Sequence, residues 1–131
     1  MSRRTFMLVG SLLAFAVASV ALLFPAALLE TKGVAPNAAV IVWLREVGVL
    51  IAAAGLTTFL ARNSNDPIAL RAVLLGGAAL HLGLLPIELI AVARGVLGHA
   101  SGVAPNSIVH LALALGSLHF VRTLPAPSEL G

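Results

Sequence analysis

Four long apolar runs, at residues 6–29, 38–61, 67–94 and 105–122, constrain this chain more than any other feature of it. A helix rises about 1.5 Å per residue, so about twenty apolar residues cross a hydrocarbon core about 30 Å thick. Inside that core no water is at hand to satisfy backbone N–H and C=O groups, and only helices or closed barrels leave none unpaired. Four runs of this length predict an all-α integral membrane four-helix bundle, a single transmembrane domain over 1–131.

Composition excludes the main alternatives. Hydrophobic residues make up 60% of the chain and charged residues 10%, whereas charged residues run near a quarter in soluble domains. Outside the four runs there are only a short N-terminus, three loops and a tail, Leu124 to Gly131, in which Pro125 and Pro127 stop further helix. Any chemistry or transport must therefore take place in the bundle or at its rim. The chain has no cysteine, which excludes disulfides, thiolate metal sites and cysteine redox chemistry.

The net charge of +3 sets topology and is not a nucleic-acid signal. Arg3, Arg4, Arg62, Arg71 and Arg122 fall near one set of segment ends, and only Lys32 and Arg94 near the other. The positive-inside bias then predicts a multi-pass protein of a cell's inner (plasma) membrane, with both termini and the 62–66 loop cytoplasmic. The start, Ser2-Arg3-Arg4-Thr5-Phe6-Met7, imitates a twin-arginine export signal but is read as leading into a first transmembrane helix.

Local signals mark the helix starts. Asn65-Asp66-Pro67 sets a capping side chain before a proline at the first helical position, and Pro36-Asn37 and Pro105-Asn106 mark two more. Gly33-Val34-Ala35-Pro36-Asn37 recurs as Gly102-Val103-Ala104-Pro105-Asn106. Either two similar caps converged, or the chain is two copies of a helical hairpin, as in parallel-repeat transporters. Small residues at helical spacing suit close packing: Gly10, Ala14, Ala18 and Ala21 in the first segment, Gly48, Ala52 and Gly55 in the second, and Ala79 with Gly83 in the third. Arg45 lies on the second of these stripes and is expected to face protein. Pro86 predicts a kink in the third segment, since it cannot donate to the carbonyl of Leu82.

Away from their ends, five ionisable residues interrupt the apolar runs: Arg45, Glu46, His81, Glu88 and His110. A charge at the bilayer centre costs about 2.5–3.5 kcal/mol on insertion scales, so such groups face the bundle interior and pair. Counted from the proposed outer ends, Glu88 and His110 lie roughly 8–9 Å deep, Arg45 and Glu46 roughly 12–14 Å, and His81 about 20 Å. His81 and Glu88, seven residues apart, share a face, as do Ser107, His110 and Ser117. An outward-open pocket built from Arg45, Glu88 and His110, with Glu46 or His81 contributing, serves these constraints. Arg45 and Glu46 point about 100° apart on a helix, which leaves one of them to meet a neighbouring subunit.

Several functions fit such a layer. Buried ion pairs can fix helix register and do nothing else, as in an accessory or structural subunit of a larger membrane complex. Arg45, Glu46, His81, Glu88 and His110 can instead bind the head group of a lipophilic small molecule, with His110 and Glu88 as candidate acid–base groups if the molecule is converted. A metal or haem site is disfavoured, because no Glu-x-x-His pair is present and His81 and His110 differ in expected depth by roughly 12 Å. No cofactor is expected. Proton, ion or small-solute transport would require an oligomer, and no selectivity motif is visible.

Leu23-Phe24-Pro25 closing the first segment, the Leu44-Arg45-Glu46-Val47-Gly48 core of the second and Ala69-Leu70-Arg71-Ala72 opening the third resemble small bacterial four-helix membrane proteins of the DoxX-like neighbourhood. The resemblance spans roughly residues 6–122. It implies a four-helix bundle and no established activity, so it assigns no catalytic residue. The leading expectation is binding, with conversion as a further step, of a small lipophilic molecule. The expected partners are the lipid bilayer and either further copies of the chain or the subunits of a membrane complex.

Overall fold

The computed structural model describes residues 1–125 as five helices: α1 (Arg3–Leu23), α2 (Pro25–Thr31), α3 (Ala38–Ala61), α4 (Pro67–Ala93) and α5 (Ala100–Arg122). The fold is all-helical, and α1, α3, α4 and α5 are long and apolar enough to cross a membrane. They run up and down in turn, joined by short connections, as a four-helix bundle.

The first apolar run is two helices rather than one. Phe24 leaves helical geometry at φ −129°, ψ 49°, and Pro25 opens α2 at the position where its missing N–H has no helical partner to lose. Three helix starts carry side-chain caps. The Ser2 hydroxyl accepts from the Thr5 amide at 3.2 Å, Asn37 Oδ1 from Val40 at 3.0 Å, and Asp66 Oδ1 from Ile68 at 2.8 Å.

Helices α2 and α4 end alike. At each end a glycine with positive φ, Gly33 at 72° or Gly95 at 68°, lets the chain reverse. Val34 then donates to Leu29 O at 3.0 Å, and Val96 to Ala91 O at 2.9 Å. Gly33 and Gly95 also donate three residues back, each at 3.0 Å, which completes the same C-terminal motif in both helices. The structural counterpart of Gly33 is therefore Gly95, not Gly102.

This changes the meaning of the five-residue repeat. Asn37 caps α3, whereas α5 begins at Ala100 and carries Pro105 and Asn106 inside it. Pro105 lies inside the helix, where it withdraws the bond to the Ser101 carbonyl and its ring crowds that oxygen. The two copies are alike in sequence and differ in place, so the repeat does not mark two equivalent hairpins.

Packing is strongest within two consecutive pairs, α1 with α3 and α4 with α5. The small-residue stripes of the first pair meet: a side chain added at Gly48 would touch Ala21 and Leu22, and one at Gly55 would touch Ala14 and Phe15. Such contact lets two backbones approach where lipid supplies no hydrophobic incentive. The stripe at Ala79 and Gly83 meets nothing, both residues being exposed on α4.

The two pairs join at their ends. At the arginine-rich end Phe6, Met7, Leu70, Leu74 and Val121 form the core, and the Phe6 ring packs tilted against Phe120, centroids 5.2 Å apart, and against Gly116. At the opposite end the His99 amide donates to Lys32 O at 3.2 Å. Gly102 lies directly against the Thr31 carbonyl, leaving no room for a Cβ. Between these ends α3 and α4 flank an open gap of ≈ 210 Å³ beside Thr57, Thr58, Gly76 and Gly77.

Candidate functional site

The polar residues of α4 and α5 assemble into one hydrogen-bonded ladder. Glu88 is its anchor: Ser107 donates to Oε2 at 2.8 Å, Asn106 Nδ2 donates to Oε1, and Lys32 Nζ stands 3.7 Å from Oε1. Asn106 also donates to His110 Nε2 at 3.0 Å, and His110 Nδ1 faces His81 Nδ1 at 2.9 Å.

One assignment of the ring protons satisfies these contacts together by donor arithmetic. The Asn106 amide nitrogen has two protons, one directed to the carboxylate and one to His110, so His110 Nε2 is the acceptor. The proton of His110 is then on Nδ1 and is donated to His81 Nδ1. That leaves the His81 proton on Nε2, at the inner end of the ladder.

Secondary structure sets this alignment. His81 and Glu88 are seven residues apart on α4, and Asn106 and His110 four apart on α5, so each pair shares a face. The antiparallel helices bring Glu88 level with Asn106 and Ser107, and His81 level with His110. Lys32 reaches Glu88 because the C-terminal turn of α2 is held against the α4–α5 loop.

Two expectations need correction. His81 and His110 do not differ in depth by a dozen ångströms. Because α5 starts at Ala100 and not at residue 105, His110 lies ten residues in, about 15 Å, and His81 lies twelve residues from Ala93, about 18 Å. The depth argument against joint action of the two imidazoles therefore fails. Among the described residues no group of three His, Asp or Glu side chains is placed to hold a metal ion.

The second correction concerns Arg45 and Glu46. Both are exposed on α3, away from the ladder, and neither makes a hydrogen bond or ion pair among the described residues. The small-residue stripe misleads here because Gly48 and Gly55 face α1 while Arg45 lies beside that seam. Glu46 is 200° from Gly48 by helical geometry and faces directly outward. The outward pocket of Arg45, Glu88 and His110 is thus not formed: the first is elsewhere, and the other two are linked through Asn106.

An open surface groove lies beside the ladder instead. A groove of ≈ 430 Å³ between the end of α4 and the start of α5 is lined by Leu89, Val92, Val103, Ala104 and Ile108, with Ser107 as its polar residue. The hydroxyl that lines the groove is the one that donates to Glu88. Glu88 and Lys32, which do not line the groove, keep 13% and 22% of their side-chain surface exposed.

Asn106 and Lys32 complete a site for which the sequence singled out the ionisable groups within the apolar runs and Ser107 on the face of His110. The spacing of Asn106 to His110 was a usable signal for the first. Lys32 lies in a loop, where no periodicity points anywhere. No protein-family model, curated protein or solved structure matches the chain.

Proposed function

We propose that the protein binds a small lipophilic molecule in the α4–α5 groove. The apolar part would lie against Leu89, Val92, Val103 and Ile108, and a hydrogen-bonding head group would meet Ser107, Glu88 and Lys32. One observation supports the reading: an apolar groove of ≈ 430 Å³ has in its lining Ser107, whose hydroxyl belongs to the polar ladder. That volume falls within the range of ligand pockets, about 300–1,000 Å³.

The same proposal includes an inner (plasma) membrane location with both termini cytoplasmic. Its support is the clustering of Arg3, Arg4, Arg62, Arg71 and Arg122 at one end against Lys32 and Arg94 at the other. The groove then opens in the outer half. If the molecule is converted, Glu88 and His110 are the groups for proton transfer, with His110 and His81 able to hold one proton between them. Proton conduction fits less well, because the Asn106 amide separates the imidazoles from Glu88 and does not readily pass a proton on.

One observation favours a second reading. Glu88, Asn106 and His110 all have partners within the chain, as expected of a ladder that only fixes helix register in an accessory subunit. Photolabelling separates the two. A diazirine-bearing long-chain alcohol, added to the protein in lipid vesicles, should label the α4 end and α5 start, and Ala104→Trp should abolish that labelling. Even labelling of all lipid-facing helices, unchanged by the tryptophan, would leave the accessory reading standing.

A further inference from the structure

The outer face of α3 presents opposite charges side by side within the membrane. Arg45 and Glu46 are both exposed, seven and eight residues from Ala38, and therefore about 11 and 12 Å along the helix. Around them Val42, Trp43, Val49 and Leu50 are exposed as well. Ionisable groups in spanning helices face protein or water and pair, rather than stand in lipid. The face is chemically incomplete as it stands.

We propose that this face docks on a second copy of the same chain. Copies inserted in one membrane share one orientation, so a two-fold axis along the membrane normal brings residues of equal depth together. Arg45 and Glu46 differ in depth by a single residue rise, about 1.5 Å. Under that axis each Arg45 meets the other copy's Glu46, and the pair forms twice. Self-complementarity of this kind is the requirement of an isologous dimer. A different partner would have to supply its own acid and base at the same depth. Val42, Val49 and Ala53, on the Glu46 side of α3, supply the apolar contact around the charges.

The docking is independent of the α4–α5 groove, and its test does not involve a ligand. The chain has no cysteine, so single cysteines report cleanly. In the full-length protein reconstituted in vesicles, Ala53→Cys on the Glu46 side of α3 should form a disulfide dimer on oxidation. Ala112→Cys, exposed on α5, should not. Adding Arg45→Glu or Glu46→Arg alone should remove the dimer band, and adding both together should restore it. Equal crosslinking at the two cysteines would overturn the proposal, as would a dimer band that survives both single charge reversals. The cysteine comparison in the unreversed background keeps the test decisive even where a charge reversal prevents insertion.

Discussion

Asn106 links Glu88 and His110, two groups that the sequence places at one depth but gives no means of joining. Its amide supplies a proton to the Glu88 carboxylate and another to His110; a leucine there leaves Glu88 with Ser107 and Lys32 but strands Nε2 of His110. A buried acceptor left unsatisfied costs about 1–3 kcal/mol. Asn106→Leu should therefore lower the stability of the purified protein by about that much, read as a fall in its thermal midpoint in detergent. Lys32 offers the contrast. Its ammonium stands 3.7 Å from Glu88 with 22% of its side chain exposed, and pairs open to water contribute about 0–1 kcal/mol. Lys32→Met should change the midpoint little. At this scale the sequence was readable for charge and less so for amides: His81, Glu88 and His110 stand out because apolar runs surround them. Asn106 comes directly after a proline and looks like a helix cap. The same charge signal that found Glu88 gave no direction for Arg45 and Glu46, since a violation in an apolar run does not say which neighbour resolves it.

Helix ends make a finer distinction, because Gly33 and Gly95 share one backbone conformation in different surroundings. Left-handed geometry alone costs a residue with a Cβ about 1–2 kcal/mol. At Gly95 nothing lies within reach of an added Cβ, so Gly95→Ala should show that conformational cost by itself. At Gly33 the Cβ would come within 2.9 Å of the Gly98 backbone, so Gly33→Ala should cost more and loosen the His99–Lys32 bond. Thermal unfolding of the two variants side by side checks the order. The spanning helices are dictated by the length of the apolar runs, because hydrocarbon leaves the backbone few options. Their ends are governed by caps and turns. Asn37 and Asp66 act as caps, while the matching signal at Asn106 falls inside a helix that begins at Ala100. Two identical pentapeptides diverge there because Gly33 leads into a loop, whereas Gly102 is pressed against the Thr31 carbonyl.

At the scale of the molecule, α1 and α3 form one tight pair and α4 and α5 another, clasped at both ends with a gap of ≈ 210 Å³ between α3 and α4. Elements with few packed contacts open at low free energy. Spin labels at Leu56 and Leu75, one on each pair, should give a broader distance distribution by double electron–electron resonance than labels at Leu82 and Leu111 within the second pair. Equal widths would show one rigid body. The four-helix architecture was legible from the four apolar runs. The pairing was legible only in part, since the small-residue stripes that bring α1 onto α3 have an unmatched copy at Ala79 and Gly83. Biogenesis imposes an order on this arrangement. A chain made from its N-terminus completes α1 and α3 as partners before α4 emerges, and α4 then carries His81 and Glu88 toward the bilayer ahead of the helix that holds their hydrogen-bond partners. For the time it takes to synthesise α5, the ladder is half built, and a carboxylate waits near the membrane rim for an asparagine not yet translated.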